Sequence, residues 1–174
     1  MVEDMGNVAA PLILALVFSC TVGAGSVPRV RAFDARSAAM LDQGVLRSPT
    51  LAALVAALEE TDVIIHIEAR HDGANLASGT TRFVANAGGF RYLRIGIAQS
   101  MTGDAAVALL GHELYHAWEI AQARWVVDAE GVERLYESIG HVHRRGGVTS
   151  ADSAAARSTG RQVQAELRAL VSGD

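Results

Sequence analysis

Apolar and polar positions divide the sequence into an apolar run near the N-terminus and a longer region of mixed pattern. Residues 8–26 are mostly apolar and leave no polar helix face. After about Arg31 the apolar residues recur at helical spacing, which predicts a helix ending near Gly44. Residues 48–50, Ser-Pro-Thr, are typical of a helix start because proline suits the first helical position, and they predict a second helix.

The middle of the chain carries three segments with the β-branched composition of strands, which cover residues 62–69, 80–85 and 90–98. Residues 86–89, Asn-Ala-Gly-Gly, have the composition of a hairpin turn between the last two strands. His66, Tyr92 and Arg94 are expected to be residues of the sheet face rather than ligands or catalytic groups.

Helical spacing returns in the C-terminal half, over residues 102–123, 132–139 and about 150–171. Residues 141–147 are basic and contain glycine, so they are expected to form a loop. The pattern predicts an α+β fold in which a sheet of about three strands packs on the 102–123 helix, with helices before and after it. The expected organisation is one domain over residues 30–174, preceded by a separate apolar segment, residues 1–26.

The 102–123 segment contains the motif His112-Glu113-Leu114-Tyr115-His116 (HExxH). Residues four apart share one face of a helix, so the imidazoles of His112 and His116 can bind one metal ion. Glu113 lies about 100° around the helix, where it can contact a metal-bound water without binding the metal. Zinc held by two histidines and one further ligand keeps a position open, and water there loses its proton near neutral pH. The spacing therefore predicts a zinc site with Glu113 as general base.

The residues around the motif predict a helix that is buried nearly all round. One apolar stripe comprises Val107, Leu110, Leu114, Trp118 and Ala121. Gly111 weakens a helix interior by about 1 kcal/mol relative to alanine, which predicts a close approach of another element at that position. The alternative interpretation is a helix that carries two core histidines and a salt-bridged glutamate.

The amino-acid composition limits which metal ligands and which partners are expected. The chain has 174 residues, of which 50% are hydrophobic, and a formal net charge of −4, which suits one domain with a core. It has no lysine, and its mild acidity argues against a nucleic-acid partner, since the sequence shows no basic stripe and its few aromatic residues are not interleaved with arginine. Its single cysteine excludes an internal disulfide and a cysteine-based zinc site, so zinc would take histidine and carboxylate ligands.

A third ligand must come from outside the motif, and the sequence leaves four candidate carboxylates. Glu119 shares the histidine face, but it lies one helix turn beyond the metal. Glu133 and Glu137 lie on the following helix, whose apolar stripe leaves both of them toward the flanks or solvent. Asp152 falls on the buried line of the last helix, where an acid needs a partner. Asp152 is therefore preferred, although it could instead complement the N-terminus of that helix.

Residues 110–117 with Glu119 resemble a group of little-characterised, exported bacterial proteins of the zincin type, which carry an LGHELxHAxE helix. Near the C-terminus that group has an acidic-Thr-x-Ala-Ala stretch that leads to Gly, Val and Glu-Leu. Here the corresponding residues are Asp152-Ser153-Ala154-Ala155, Gly160, Val163 and Glu166-Leu167. The resemblance spans about residue 30 to the end, with HExxH as its specific part, and implies a zincin-like metallopeptidase domain.

The same resemblance bears on the third ligand. The usual Glu-Thr of the group appears here as Asp152-Ser153, and aspartate is one methylene shorter. The last helix, which is expected to carry Asp152, must therefore approach the metal more closely, or the metal site is weaker or lost. Gluzincin metallopeptidases place their third ligand on the helix after the motif, as Glu133 or Glu137 would be, whereas aspzincin metallopeptidases use an aspartate.

Residues 8–26 resemble a secretory signal peptide, because the apolar run closes on small residues with a natural cleavage point after Ala24. Glu3 and Asp4 depart from the pattern, since signal peptides carry basic residues there. Residues 17–20 also resemble a degenerate lipobox, in which Cys20 would be lipidated. Export is expected, to a periplasmic, secreted or envelope-attached location, with a cleaved signal ranked above a lipoprotein. A retained anchor and a buried helix are the alternatives, and the membrane would be reached only through this segment or a lipidated Cys20.

Together these features predict a zinc-dependent metallopeptidase that acts on a peptide or protein substrate outside the cytoplasm. Glu113 would take a proton from the zinc-bound water and pass it to the leaving amine. Tyr136, His141 and His143 follow the helix and are candidates to stabilise the oxyanion. Resemblance to zincins implies a sheet edge beside the cleft that binds an extended peptide by strand addition. The alternatives are a catalytically inactive zincin-like domain acting as an envelope binding or assembly factor, and a metal-free fold with a fortuitous motif.

Overall fold

The structure is a computed structural model that describes residues 27–72, 77–139, 141–145 and 148–171. The proposed signal segment of residues 1–26, including Cys20 and Ala24, lies outside the described residues. No helix in the described ranges has both the length and the apolar character that a membrane span requires.

Eleven elements make up the described part of the chain. In order they are β1 (Val30–Ala32), α1 (Ala35–Arg47), α2 (Pro49–Glu59), β2 (Val63–Arg70), β3 (Gly79–Ala87), β4 (Phe90–Ala98), α3 (Gly103–Gln122), α4 (Ala129–Ile139), β5 (His141–Arg145), β6 (Val148–Asp152) and α5 (Ala154–Val171). Four strands form one mixed sheet in the order β1-β2-β4-β3, and β3 is its antiparallel member. Strands β5 and β6 pair antiparallel as a separate ribbon.

The α+β class is confirmed, but the expectation of about three strands is wrong, because the main sheet has four. The additional strand, β1, has only three residues, which is too short for an alternating pattern to be recognised in the sequence. Residues 141–147 were expected to form a loop, yet 141–145 form β5. The last helix begins at Ala154 rather than near Ser150, because β6 occupies the residues before it.

The boundary between α1 and α2 follows from capping by Ser48. Its hydroxyl accepts a hydrogen bond from the Leu51 N–H at 3.1 Å, and Pro49 occupies the first helical position, as predicted. The first helix runs past Gly44 to Arg47. Gly44 is inside the helix because of packing, since a Cβ there would lie 2.7 Å from Leu51 Cδ1.

The predicted hairpin between β3 and β4 turns at Gly88 and Gly89. Their φ angles of +59° and +79° lie in the left-handed region, which glycine adopts without steric cost. The turn makes β3 antiparallel to β4 and leaves β3 at one edge of the sheet.

The hydrophobic core lies between the sheet and its helices. A buried arginine in this region holds the C-terminal end of α3. Arg91 on β4 is 2% exposed. Its guanidinium donates to four carbonyl oxygens at the C-terminal end of α3 and just after it, those of Ile120, Ala121, Ala123 and Val126, at 2.8–3.2 Å. It also pairs with Asp62 at 2.6 Å. A cation at a helix C-terminus satisfies the last carbonyls and opposes the negative end of the helix dipole, so Arg91 holds α3 in place along the sheet.

Candidate metal centre

Helix α3 brings the two histidines of the motif together. It runs without interruption from Gly103 to Gln122, and most of its residues are buried. One turn of helix separates His112 from His116, so their imidazoles extend from the same face. The two Nε2 atoms lie 3.1 Å apart.

Asp152 reaches the same point from a different element than expected. It is the last residue of β6 and not part of α5, since Ser153 caps that helix by accepting a hydrogen bond from the Ala156 N–H at 3.0 Å. The Asp152 Oδ1 atom lies 3.6 Å from Nε2 of His112 and 3.7 Å from Nε2 of His116. The end of a strand therefore supplies the carboxylate opposite the histidine pair.

The three atoms have the spacing that a metal ion requires. Within the described residues, His112, His116 and Asp152 are the one group of this kind that could hold a metal ion. The three atoms lie 3.1–3.7 Å from one another, close to the separation of ligand atoms around a tetrahedral zinc ion with Zn–N and Zn–O distances of about 2.0–2.2 Å. Asp152 Oδ1 is buried and accepts no hydrogen bond. Because a buried carboxylate oxygen is costly without a partner, this atom fits the role of a ligand.

The orientation of Asp152 is set by an arginine on α5. Nη1 of Arg157 donates to Asp152 Oδ2 at 2.8 Å, which leaves Oδ1 directed at the histidines. Metal-binding carboxylates are commonly held in this way by a second hydrogen bond. Nothing in the sequence pattern indicated this role for Arg157, which lies five positions after Asp152.

The other ring nitrogen of His116, Nδ1, is within hydrogen-bond distance of a carboxylate and a phenol. Nδ1 of His116 lies 2.9 Å from Glu119 Oε2 and 2.8 Å from the Tyr136 hydroxyl, and that hydroxyl donates to Glu119 Oε2 at 3.0 Å. With Glu119 as the acceptor, the His116 proton resides on Nδ1, and Nε2 carries the lone pair that a metal ion would use. Glu119 therefore orients the imidazole and does not face the candidate metal position.

Tyr136, a candidate to stabilise the oxyanion, has its hydroxyl bound to His116 Nδ1 and Glu119 Oε2. Its side chain is 4% exposed. Burial, together with the Glu119 charge, raises the pKa of the Tyr136 phenol, so it stays protonated and donates to Glu119. The other two candidates, His141 and His143, lie on β5, whose side chains fall outside the described part of the structure.

The Glu113 carboxylate lies against the first residues of β3. The Thr81 hydroxyl donates to Glu113 Oε2 at 2.8 Å. Gly79 packs against the same carboxylate, since a Cβ there would overlap Oε1 and lie 2.9 Å from Cδ. Burial raises the pKa of the Glu113 carboxyl, and it outweighs the opposing effects of His116 and of the Thr81 hydrogen bond. Glu113 is 4% exposed, so its carboxylate is almost enclosed by the edge strand.

Electrostatics at His112 favour the neutral imidazole. Burial lowers the pKa of His112, and the neighbouring His116 lowers it further, against a smaller opposing effect of Asp152. The neutral form is the one that binds metal ions.

Comparison with known proteins did not identify a family for this chain. No family model matches the sequence, and no curated protein or solved structure shows significant similarity to it. The site is therefore interpreted from its own residues.

Two further carboxylates that the sequence offered as ligands lie on α4. Glu133 and Glu137 are exposed on α4 and do not belong to the group that could hold a metal ion. The strand histidine, His66, lies on β2 at the register position between Arg31 and Arg94, as expected for a sheet-face residue. The contribution of Thr81 could not be predicted, because its contact with Glu113 depends on how β3 packs on α3.

Proposed function

We propose that this protein is a zinc-dependent metallopeptidase, with His112, His116 and Asp152 as zinc ligands and Glu113 as general base. The observation that carries the proposal is the Asp152 Oδ1 atom, which is buried without a hydrogen bond and lies 3.6–3.7 Å from both Nε2 atoms. Two histidines on one helix recur in structural and catalytic sites alike, whereas HExxH adds a glutamate suited to base catalysis.

Zinc in this site would supply Lewis-acid chemistry, which polarises a carbonyl oxygen and lowers the pKa of water. The residues of the chain supply the remaining functions. Glu113 accepts a proton from the attacking water, the water oxygen joins the carbonyl carbon, and the C–N bond breaks. The same carboxyl then gives that proton to the leaving amine. The Thr81 hydrogen bond to Oε2 positions the carboxylate, and the raised pKa of Glu113 helps it hold the proton between these steps.

The arrangement of the sheet supports an extended peptide as the substrate. β3 is an edge strand of the four-stranded sheet, and Thr81 at its beginning contacts α3 beside the candidate metal position. The free edge of a strand can pair with an extended peptide through main-chain hydrogen bonds. The proposed substrate is a peptide or protein outside the cytoplasm, in keeping with the signal-like residues 8–26.

Metal content and turnover test the proposal directly. The full chain, purified without chelator, is expected to hold one zinc ion per molecule by metal analysis, and His112→Ala or His116→Ala to lose it. Glu113→Gln is expected to keep zinc and the parental fold while hydrolysis of a peptide library falls by about 10²–10⁴-fold. Absence of zinc after reconstitution, or turnover undiminished in Glu113→Gln, would contradict the proposal.

A second function, a zincin-like domain without catalysis that acts as an envelope binding or assembly factor, is favoured by one observation. Glu113 is 4% exposed and packs against Gly79, so the carboxylate that must reach a substrate is covered. This alternative predicts stoichiometric zinc, and a zinc-dependent melting temperature, without turnover of any peptide in the library. The two functions share the metal site and differ only in the hydrolysis assay.

A further inference from the structure

A row of basic residues crosses the sheet on the face opposite the helices. Register pairs Arg31 on β1 with His66 on β2, His66 with Arg94 on β4, and Arg94 with Arg82 on β3. Strands lie about 4.8 Å apart, so this row (Arg31, His66, Arg94 and Arg82) extends over roughly 14 Å. We call it the basic row.

Alternation along the strands places the basic row away from the core. The neighbours of its members along the strands, such as Ile65, Ile67, Leu93 and Ile95, are fully buried among the helices. On β3, Thr81 contacts Glu113 of α3, so the adjacent Arg82 extends from the other face. Arg82 and Arg94 are exposed, and Arg31 and His66 are half-buried.

Like charges on adjacent strands repel, and little within the described residues compensates this repulsion. Glu68 is the acidic residue nearest the row on β2, and its carboxylate lies 3.9 Å from Nε of Arg94. Arg31 donates to the main-chain oxygen of Pro28, which carries no charge. Burial lowers the pKa of His66, and the charges of Arg31 and Arg94 lower it further, so the row carries three positive charges at neutral pH. Three guanidinium groups held close together suit a ligand that presents several anionic groups on a surface.

Apolar side chains stand at both ends of the basic row. Phe33 continues β1, since its N–H donates to the Ile67 carbonyl at 2.8 Å, and alternation places its ring on the same face as Arg31. Its side chain is 78% exposed. At the opposite edge of the sheet, Val84 follows Arg82 in the bulge of β3 and is 53% exposed. Exposed apolar groups beside cationic ones are typical of surfaces that rest on a lipid headgroup layer.

We propose that this face of the sheet docks on a membrane surface rich in anionic phospholipids, with the basic row binding headgroup phosphates. The path of the chain supports this ligand. The apolar residues 8–26 end a few positions before β1, the strand that contributes Arg31 and leads to Phe33. A lipid-anchored or membrane-associated N-terminus would therefore hold this face near the headgroups. The docking site lies on the other face of the sheet from α3, so it is independent of the metal centre.

Vesicle partitioning of the full chain tests the proposal. The partition coefficient is measured on vesicles of phosphatidylcholine alone and of phosphatidylcholine mixed with phosphatidylglycerol. The ratio of the two values isolates the effect of lipid charge, because residues 1–26 are present in every protein compared. Each arginine near an anionic surface contributes about a fivefold preference, so the triple variant Arg31→Gln/Arg82→Gln/Arg94→Gln is expected to lower the ratio by about 100-fold.

A control variant with the same net charge distinguishes binding through this face from a general effect of net charge on partitioning. Three other arginines are exposed and lie outside the sheet, Arg124 just after α3, Arg134 on α4 and Arg161 on α5, and their triple change to glutamine removes the same three charges. The control variant is expected to keep the parental ratio, and an unchanged far-UV circular dichroism spectrum verifies that all three proteins are folded. Equal loss in both triple variants, or a parental ratio near one, overturns the proposal. Loss of single-stranded oligonucleotide binding in the row variant, with unchanged vesicle ratios, would reassign the face to nucleic acid.

Discussion

At the scale of single residues, the distinction that matters most is between atoms that face the candidate metal position and atoms that orient them. Asp152 directs Oδ1 at both histidines, whereas Arg157 contacts only Oδ2. Glu119 is bound to the far nitrogen of His116. The sequence identified the histidines and proposed Asp152, but it could not separate a ligand from the residue that holds the ligand.

The first prediction ranks three substitutions by their effect on zinc affinity, measured by competition with a chelator. Asp152→Ala removes a proposed ligand and is expected to give the largest loss. Arg157→Gln leaves the ligand but frees its orientation, so a loss of about 10–100-fold is expected. Glu133→Ala on α4 is the matched control and should bind zinc like the parent. A loss in Glu133→Ala without a loss in Asp152→Ala would reverse the assignment.

The second prediction concerns the space around Glu113. Gly79→Ala would place a methyl group against Oε1 and force the carboxylate to move. Zinc binding is expected to survive, while kcat for peptide hydrolysis falls by about 10²–10⁴-fold, as for loss of a general base. Thr80→Ala, on the other face of the same strand, is the control and should retain the parental kcat. Parental activity in Gly79→Ala would show that this contact does not position the base.

At the scale of elements, the contact between α3 and α5 depends on two glycines. A Cβ at Gly111 would lie 2.8 Å from Val163 Cγ2, and one at Gly160 would lie 3.2 Å from His112 Cβ. The close approach predicted from Gly111 is therefore confirmed, with Val163 as the neighbour. It brings α5, and the Asp152 that precedes it, against the histidine face.

A double-mutant cycle tests this packing through the free energy of unfolding in urea, with chelator present throughout. Gly111→Ala alone is expected to destabilise the protein by about 1–3 kcal/mol, because the added methyl overlaps Val163. In a Val163→Ala background the overlap disappears, and the same change should stabilise by up to about 1 kcal/mol through helix propensity. Equal effects in the two backgrounds would show that Val163 does not limit the approach of the helices.

The elements predictable from sequence are those with a local signal. Pro49 after Ser48, the Gly88-Gly89 turn and the β-branched β2 each depend on neighbours in the chain, and the structure contains all three. Between β5 and β6 the sequence offers only the Gly146-Gly147 pair as a hairpin signal, and the mainly basic and polar residues on either side lack the alternation of a strand, so a loop was expected there. Asp152 was for this reason expected on the last helix, and its position at a strand end could not be read from helical spacing.

At the scale of the whole molecule, Glu166 joins the last helix to the beginning of the second. Its carboxylate accepts hydrogen bonds from the hydroxyls of Ser48 and Thr50, each at 2.5 Å, and from the Thr50 N–H at 3.1 Å. These contacts place an anion at the N-terminus of α2. Burial opposes ionisation, but the hydrogen bonds outweigh it and lower the pKa of Glu166 to about 2. A contact between residues so far apart in sequence has no local pattern that would predict it.

The fourth prediction follows from the sign of that pKa shift. A carboxyl with a lowered pKa stabilises the folded state above its unfolded value near 4.5, and this contribution is lost as the pH falls toward 2. Glu166→Gln is expected to cost about 1–3 kcal/mol at pH 7, and the difference from the parent should shrink between pH 4.5 and pH 2. Glu130→Gln, at an exposed position, is the control for urea unfolding across this range. A difference independent of pH would exclude Glu166 as the source.

The order of the three metal-facing residues along the chain sets when the site can assemble during synthesis. The main sheet and α3, with both histidines, are complete by Gln122, whereas Asp152 follows thirty residues later at the end of β6. A nascent or truncated chain can thus form the histidine pair while the opposing carboxylate is still missing. Only a finished C-terminal segment, with α5 docked on Gly111, brings that carboxylate into place. A chain that terminates before Asp152 would in this way keep both histidines but lack the third of the residues that could hold a metal ion.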